Sequence, residues 1–188
     1  AFGGRTMTDQ KPKYLNTSDT LAFKKSYGLF AMNFAKNSGK EQLILAEGYM
    51  DVIALHQAGF DNAIAGLGTA LTTEQANLIA RYTKEVVIAY DADEAGQKAT
   101  ARAIQLLRSV GLLVKVLSIT GGKDPDEYIR SYGEQGPVRF KQLIEQSGND
   151  VEYRLQKLKS DCDLESSAGK VQYLNGATEL LSTLDNRM

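Results

Sequence analysis

Tryptophan is missing, cysteine and histidine occur once each, and proline only three times in 188 residues. The single Cys162 excludes an internal disulfide and any multi-cysteine zinc site within this chain, which agrees with a reducing compartment. It falls in a polar helical turn and is expected to be inert. With His56 as the lone imidazole and no cysteine beside it, a structural role on its helix is expected rather than a metal or triad role. No apolar run approaches the ~20 residues of a membrane span. No charged-then-apolar leader opens the chain at Ala1, so the expected location is the cytoplasm, without membrane contact.

Charge is close to balanced, −1 overall, but unevenly placed. Residues 1–40 carry seven Lys or Arg against two acids, and residues 41–94 carry two basic residues against nine acids. A polyanion would be drawn to the first stretch and would meet the second only through bound cations.

From Leu43 the pattern becomes regular. Apolar runs at Leu43–Ala46, Ala63–Ala65, Val86–Tyr90 and Leu112–Ile119 alternate with helical stretches over about Tyr49–Ala58, Thr72–Tyr82, Ala95–Val110 and Asp126–Tyr132. Thr72 and Gln75 form a capping-box pair, and Gly111 is a natural stop. Strands alternating with helices predict an α/β fold, a parallel sheet flanked by helices. Beyond Ser147 the pattern is helical only. Val171, Leu174, Ala177, Leu181 and Leu184 mark one apolar face, which predicts a C-terminal helical hairpin or bundle packed on the α/β unit.

Each acidic group stands directly after a buried-strand run. Glu47-Gly48-Tyr49-Met50-Asp51 follows the first run, and Asp91-Ala92-Asp93-Glu94 follows the third. In open α/β sheets the carboxyl ends of the strands form the ligand crevice, so these carboxylates can converge. Clustered carboxylates repel and are stable together mainly around a divalent cation. Glu47, Asp91 and Asp93 suit magnesium, with Asp91 and Asp93 on one side if the strand stays extended through them. A second pair, Asp124 and Asp126, flanks Pro125 and either caps a helix or binds a further ion. The calcium-loop alternative fails, because Ala95 and Arg102 stand where acid ligands are required. Gly66-Leu67-Gly68-Thr69-Ala70 is a weak phosphate-turn signal, since Leu71 replaces a third glycine.

Glu-Gly-Tyr-Met-Asp-Val at 47–52, Leu-Gly-Thr-Ala-Leu at 67–71, Tyr-Asp-Ala-Asp-Glu-Ala-Gly at 90–96 and Lys-Asp-Pro-Asp-Glu at 123–127 resemble the Toprim segment of bacterial DnaG-type primases. Lys13-Tyr14-Leu15-Asn16, after Phe2-Gly3-Gly4-Arg5, resembles the end of the preceding part of the same catalytic domain. The resemblance runs in order over about residues 1–147. It implies three regions: residues 1–40 as the end of a basic N-terminal subdomain, 41–132 as the Toprim domain, and 133–188 as a helical subdomain. It implies template-directed synthesis of short RNA primers from ribonucleoside triphosphates on single-stranded DNA during replication. Glu47, Asp91 and Asp93 would then be catalytic and hold Mg2+, with Mn2+ as a substitute and Asp124 and Asp126 helping to bind ions. Arg5, Lys13, Tyr14 and Asn16 would belong to the ridge that contacts nucleotide or DNA. Zinc is expected only in a module absent from this chain, and the replicative helicase is expected to bind through a region not present here.

Two other readings stay open. A Toprim nuclease would use the same metals to cleave a phosphodiester, although no extra general base is evident. A regulatory nucleotide-binding module without catalysis of its own would take a ligand such as guanosine tetraphosphate on the metal and basic ridge.

Overall fold

The computed structural model describes residues 1–8, 11–12, 14–119 and 122–184. It divides into two compact units, residues 1–147 and 148–188. The first opens with an antiparallel hairpin of β1 (Gly3–Arg5) and β2 (Tyr14–Asn16), with Arg5 opposite Tyr14. A one-turn helix, α1 (Met32–Ala35), follows. Then come β3 (Gln42–Ala46), α2 (Tyr49–Gln57), β4 (Ala63–Ala65), α3 (Thr73–Ala80), β5 (Glu85–Ala89), α4 (Glu94–Ser109), β6 (Leu113–Val116), α5 (Pro125–Ser131) and α6 (Gly136–Glu145).

The four strands from β3 to β6 lie in the order β4-β3-β5-β6, and all their pairings are parallel. β3, β4 and β5 are near-continuous apolar runs because both faces are covered, whereas β6 leaves Leu113 and Lys115 on a more open face. Ile44, Ala46, Val87 and Ala89 join Val52 and Leu55 of α2, Tyr128 of α5, and Phe140 and Ile144 of α6 in one cluster. The alternate residues Leu43, Leu45, Val86 and Ile88 are equally buried, as are Ile79 of α3 and Ile104 and Leu107 of α4. Each such side chain contributes about 1.5–3 kcal/mol by leaving water. The order reverses at β3: the chain leaves it toward β4, then returns to the other side as β5. That reversal opens a crevice at the carboxyl ends of β3 and β5.

Thr72 caps α3 as its sequence predicts, accepting from Gln75 N at 3.2 Å while Gln75 Oε1 accepts from Thr72 N at 3.1 Å. The same Gln75 amide, fully buried, donates to Lys25 O at 2.9 Å and Gly28 O at 2.8 Å. One side chain therefore fastens the stretch leading out of the hairpin onto the α/β unit.

Two expectations differ from what is found. The sequence predicts a helical remainder from residue 133, but the first compact unit runs on to Ser147, because α6 places Phe140 and Ile144 in the sheet's own core. The second unit is a hairpin of α7 (Asp150–Ser160) and α8 (Ser167–Ser182). Its expected buried stripe is not covered: Val171, Leu174 and Leu181 are each more than half exposed. Two helices bury only the line where they touch, here where Gly176 lets the Leu158 side chain approach and where Leu180 is sealed. Cys162 is buried and free.

Candidate active site

Ala46 pairs with Ala89 in the β3–β5 register, so Glu47 and Asp91 leave adjacent strands at nearly the same height. The Asp91 N–H donates to Glu47 Oε2 at 3.3 Å. The next amide, of Ala92, donates to Lys123 O at 3.0 Å, which draws the loop before α5 to the same edge. Gly96 makes this turn tight: a Cβ there would lie 2.1 Å from the Asp91 carbonyl oxygen. Asp51, on the first turn of α2, accepts from Gly48 N at 3.1 Å and completes the ring of acids.

The electrostatics record this crowding. The Asp91 carboxyl is pushed up to about 7, first by burial, then by Glu47, Asp51, Asp124 and Asp93 in that order. Asp51 is pushed up to about 6 by burial and by Asp124, against the opposing Gly48 hydrogen bond. Burial and then Glu47 raise the Tyr90 phenol, which stays protonated.

Three predicted ligands also have local duties. β5 ends at Ala89, so the extended geometry does not persist to Asp93, whose carboxylate caps α4 by accepting from Gly96 N at 2.8 Å. Asp124 caps α5, accepting from Glu127 N at 2.7 Å. Asp126 is held by Arg130, whose Nε donates to Oδ1 at 2.8 Å and whose Nη2 meets Oδ2. Among the described residues no three His, Cys, Asp or Glu side chains form a ready-made metal cage. Magnesium does not require one, since it keeps several waters and commonly binds one or two carboxylates plus substrate phosphates. A half-buried Asp91 pressed by four carboxylates fits a cation that arrives with its substrate.

Beside the acids stands the hairpin. The Arg5 guanidinium lies 5.7 Å over the Tyr14 ring, and Tyr14 meets Tyr49 edge-on at 5.4 Å. Arg5 and Tyr14 line a cleft of about 730 Å³ together with Asp51, Asp91, Asp124 and Asp126, and with Lys123 and Arg130. Asn16 lines a smaller notch beside Glu47, and its Nδ2 reaches Leu67 O at 3.5 Å, a tether to the glycine turn. Lys13 lies outside the described residues. Asp51, Lys123 and Arg130 escaped the sequence reading as site residues, although the first two sit inside its two acidic motif words. The Tyr49 hydroxyl is buried without a hydrogen-bond partner among the described residues.

Three family models match: a Toprim-like model over residues 44–129, the N-terminal domain of the DNA primase catalytic core over 1–36, and the DnaB-helicase binding domain of primase over 151–188. A DNA primase of Clostridium acetobutylicum is 44% identical over 185 residues, covering 98% of this chain. The chain belongs to the DnaG-type primases. It spans 30% of the length of that primase relative. The E. coli primase catalytic core superposes with a TM-score of 0.77 at 32% identity, covering 96% of this chain and 58% of that one. A DnaG primase catalytic domain bound to single-stranded DNA gives a TM-score of 0.77 at 31% identity, over 96% of this chain and 59% of that one. Toprim primases as a family are metal-dependent.

The primase match at 151–188 corrects the expectation that the helicase-binding region lies outside this chain. Those residues carry no short motif, only amphipathic periodicity, so such a region is not legible in them. Among the described residues no helix is long and apolar enough to cross a membrane.

Proposed function

We propose that this chain carries the nucleotidyl-transfer site of a DNA primase, which builds short RNA primers from ribonucleoside triphosphates on single-stranded DNA. The observation that carries the reading is the half-buried Asp91, pressed by carboxylates from neighbouring strand ends and loops, lining one cleft with Arg5 and Tyr14. Glu47, Asp91 and Asp93 would hold Mg2+, or Mn2+ in its place, with Asp124 and Asp126 assisting. When bound, the cations supply Lewis-acid activation of the strand's hydroxyl and charge neutralisation of the phosphates. The chain's own groups do the rest. Arg5 and Lys123 attract and orient the triphosphate, Arg130 holds Asp126 in place, and Tyr14 offers a ring for a base. Lys13 and Asn16 extend the nucleotide-contacting ridge, Asn16 by fixing the glycine turn. The 3′-oxygen bonds to the α-phosphorus as the bond from that phosphorus to its leaving oxygen breaks, releasing pyrophosphate. The hydroxyl proton passes to solvent.

This reading uses residues 1–40 as the end of the basic subdomain, 41–132 as the Toprim domain and 133–188 as the helical part, whose first helix α6 packs into the sheet's core, in a cytoplasmic replication protein. The exposed stripe Val171, Leu174 and Leu181 is its surface for a replicative helicase.

One incubation tests the reading: end-labelled single-stranded DNA, labelled ribonucleotides and Mg2+, with this chain and with a protein in which it is joined to the other segments of a full-length primase. The expected result is metal-dependent RNA from the full-length form, lost in Asp91→Asn. DNA cleavage without synthesis would assign a Toprim nuclease instead. Silence from both forms, with nucleotide still bound, would leave a regulatory binding module.

A further inference from the structure

On the other flank of Glu47 lies a second pocket, of about 500 Å³. One wall is the turn from Gly66 to Leu71, the other is the first half of α4 with Ala95, Ala99 and Arg102. The turn presents bare backbone. Gly68 has φ +76°, and a Cβ on it would lie 2.8 Å from Asn16 Nδ2. From Gly66 through Leu71 no backbone N–H donates to an acceptor among the described residues, although Gly66 is buried. Successive unpaired amides of this kind form an anion-binding concavity. Facing them, Arg102 is exposed and has no carboxylate partner among the described residues, whereas Lys98 is taken by Glu94 at 2.6 Å.

The two pockets differ in the charge they can balance. The larger cleft sets Arg5, Lys123 and the Asp126-paired Arg130 around a group of acids, which suits a triphosphate that brings cations with it. The second offers one unpaired guanidinium over a floor of Ala70, Leu71, Ala95 and Ala99, which suits a single phosphodiester and its sugar. A notch of about 270 Å³ joins them, lined by Gly66, Gly68 and Glu47 from one side and Tyr14, Asp51 and Asp91 from the other. In-line displacement needs the attacking hydroxyl and the leaving group on opposite sides of the reacting phosphorus.

We infer that the pocket between the Gly66–Leu71 turn and α4 receives the 3′-terminal nucleotide of the growing RNA strand, with Arg102 and the turn's amides holding its phosphodiester. This rests on the primase reading of the acid cleft. The strand's hydroxyl then enters through the notch at Glu47, while the incoming triphosphate lies in the larger cleft and pyrophosphate departs there.

The test uses full-length protein, a DNA template and a diribonucleotide starter, with KM measured separately for starter and for ribonucleoside triphosphate. Arg102→Ala is expected to raise the starter's KM about tenfold and leave the triphosphate's KM unchanged. Ala99→Leu, which fills the pocket without touching charge, is expected to do the same. Arg102→Lys, which keeps the charge, is expected to recover part of the loss. An unmoved starter KM in both Arg102→Ala and Ala99→Leu, or equal rises for both substrates, overturns the inference while an active wild type leaves the primase reading standing. A wild type that makes no RNA sinks that reading and takes the inference with it.

Discussion

Replacing Asp91 by Asn should make the metal-free protein more stable at alkaline pH, and the size of the gain follows from the crowding of the acids. The carboxyl rises from 3.8 to about 7 on folding, chiefly through burial and then Glu47. Three units at ~1.36 kcal/mol each is ~4 kcal/mol, which must be discounted for a half-exposed group to about 1–2 kcal/mol. The sign is fixed by linkage: the folded chain binds this proton more tightly than the unfolded chain, so stability falls as pH rises from about 4 to about 7. At pH 8 the wild type bears the full penalty and Asp91→Asn bears none. Thermal unfolding followed by circular dichroism in EDTA should therefore show the variant melting about 3–6 °C higher at pH 8, and no higher at pH 4. Adding Mg2+ at ten times its Kd should stabilise the wild type by about 1.4 kcal/mol and the variant far less. A melting difference independent of pH, or equal stabilisation of both by Mg2+, would refute the account of Asp91 as a carboxylate poised for a cation.

Gln75→Leu removes two donors from the carbonyls of Lys25 and Gly28 and one acceptor from the Thr72 amide. At ~1 kcal/mol each the loss is about 3 kcal/mol, a fall of about 9 °C in Tm, with amide exchange accelerating first at residues 25–28. Gly96→Ala places a methyl 2.1 Å from the Asp91 carbonyl oxygen, so the turn must move. Mn2+ binding followed by electron paramagnetic resonance should weaken at least tenfold, whereas unchanged affinity would detach that turn from the metal site.

The sheet was legible because β3, β4 and β5 are buried on both faces and so appear as apolar runs, while β6 alternates buried Val114 and Val116 with exposed Leu113 and partly exposed Lys115. The convergence of Glu47 and Asp91 was legible for the same reason: acids placed at the ends of parallel neighbours share an edge. The hairpin was not. Gly3, Gly4, Arg5, Tyr14 and Leu15 are all exposed, so no alternation betrays a strand. The placing of Arg5 in one cleft with Asp91 is a tertiary fact that no local pattern carries. Periodicity marked one apolar stripe on α8, but the helix packs through Gly169, Gly176 and Leu180 instead, because a period says which residues share a face, not whether anything covers it. Capping by Asp124 was one of two readings open in the sequence, and that of Asp93 was not singled out, because the same residue types serve caps and cations.

The register that sets Ala46 beside Ala89 makes chain length, as well as residue chemistry, a determinant of this centre. One residue added or removed within β5 would slide Asp91 by about 3.3 Å relative to Glu47 and turn every following side chain to the opposite face. The loops at the far end of the sheet, such as Tyr82–Lys84 before β5, are tied by the bonds of Thr83 to Glu41 and Glu85 and of the Leu113 amide to Lys84 O but carry no catalytic acid. Insertions and deletions in related sequences should accordingly collect at the amino ends of these strands, leaving the spacing from Leu43 to Glu47 and from Val86 to Asp91 invariant.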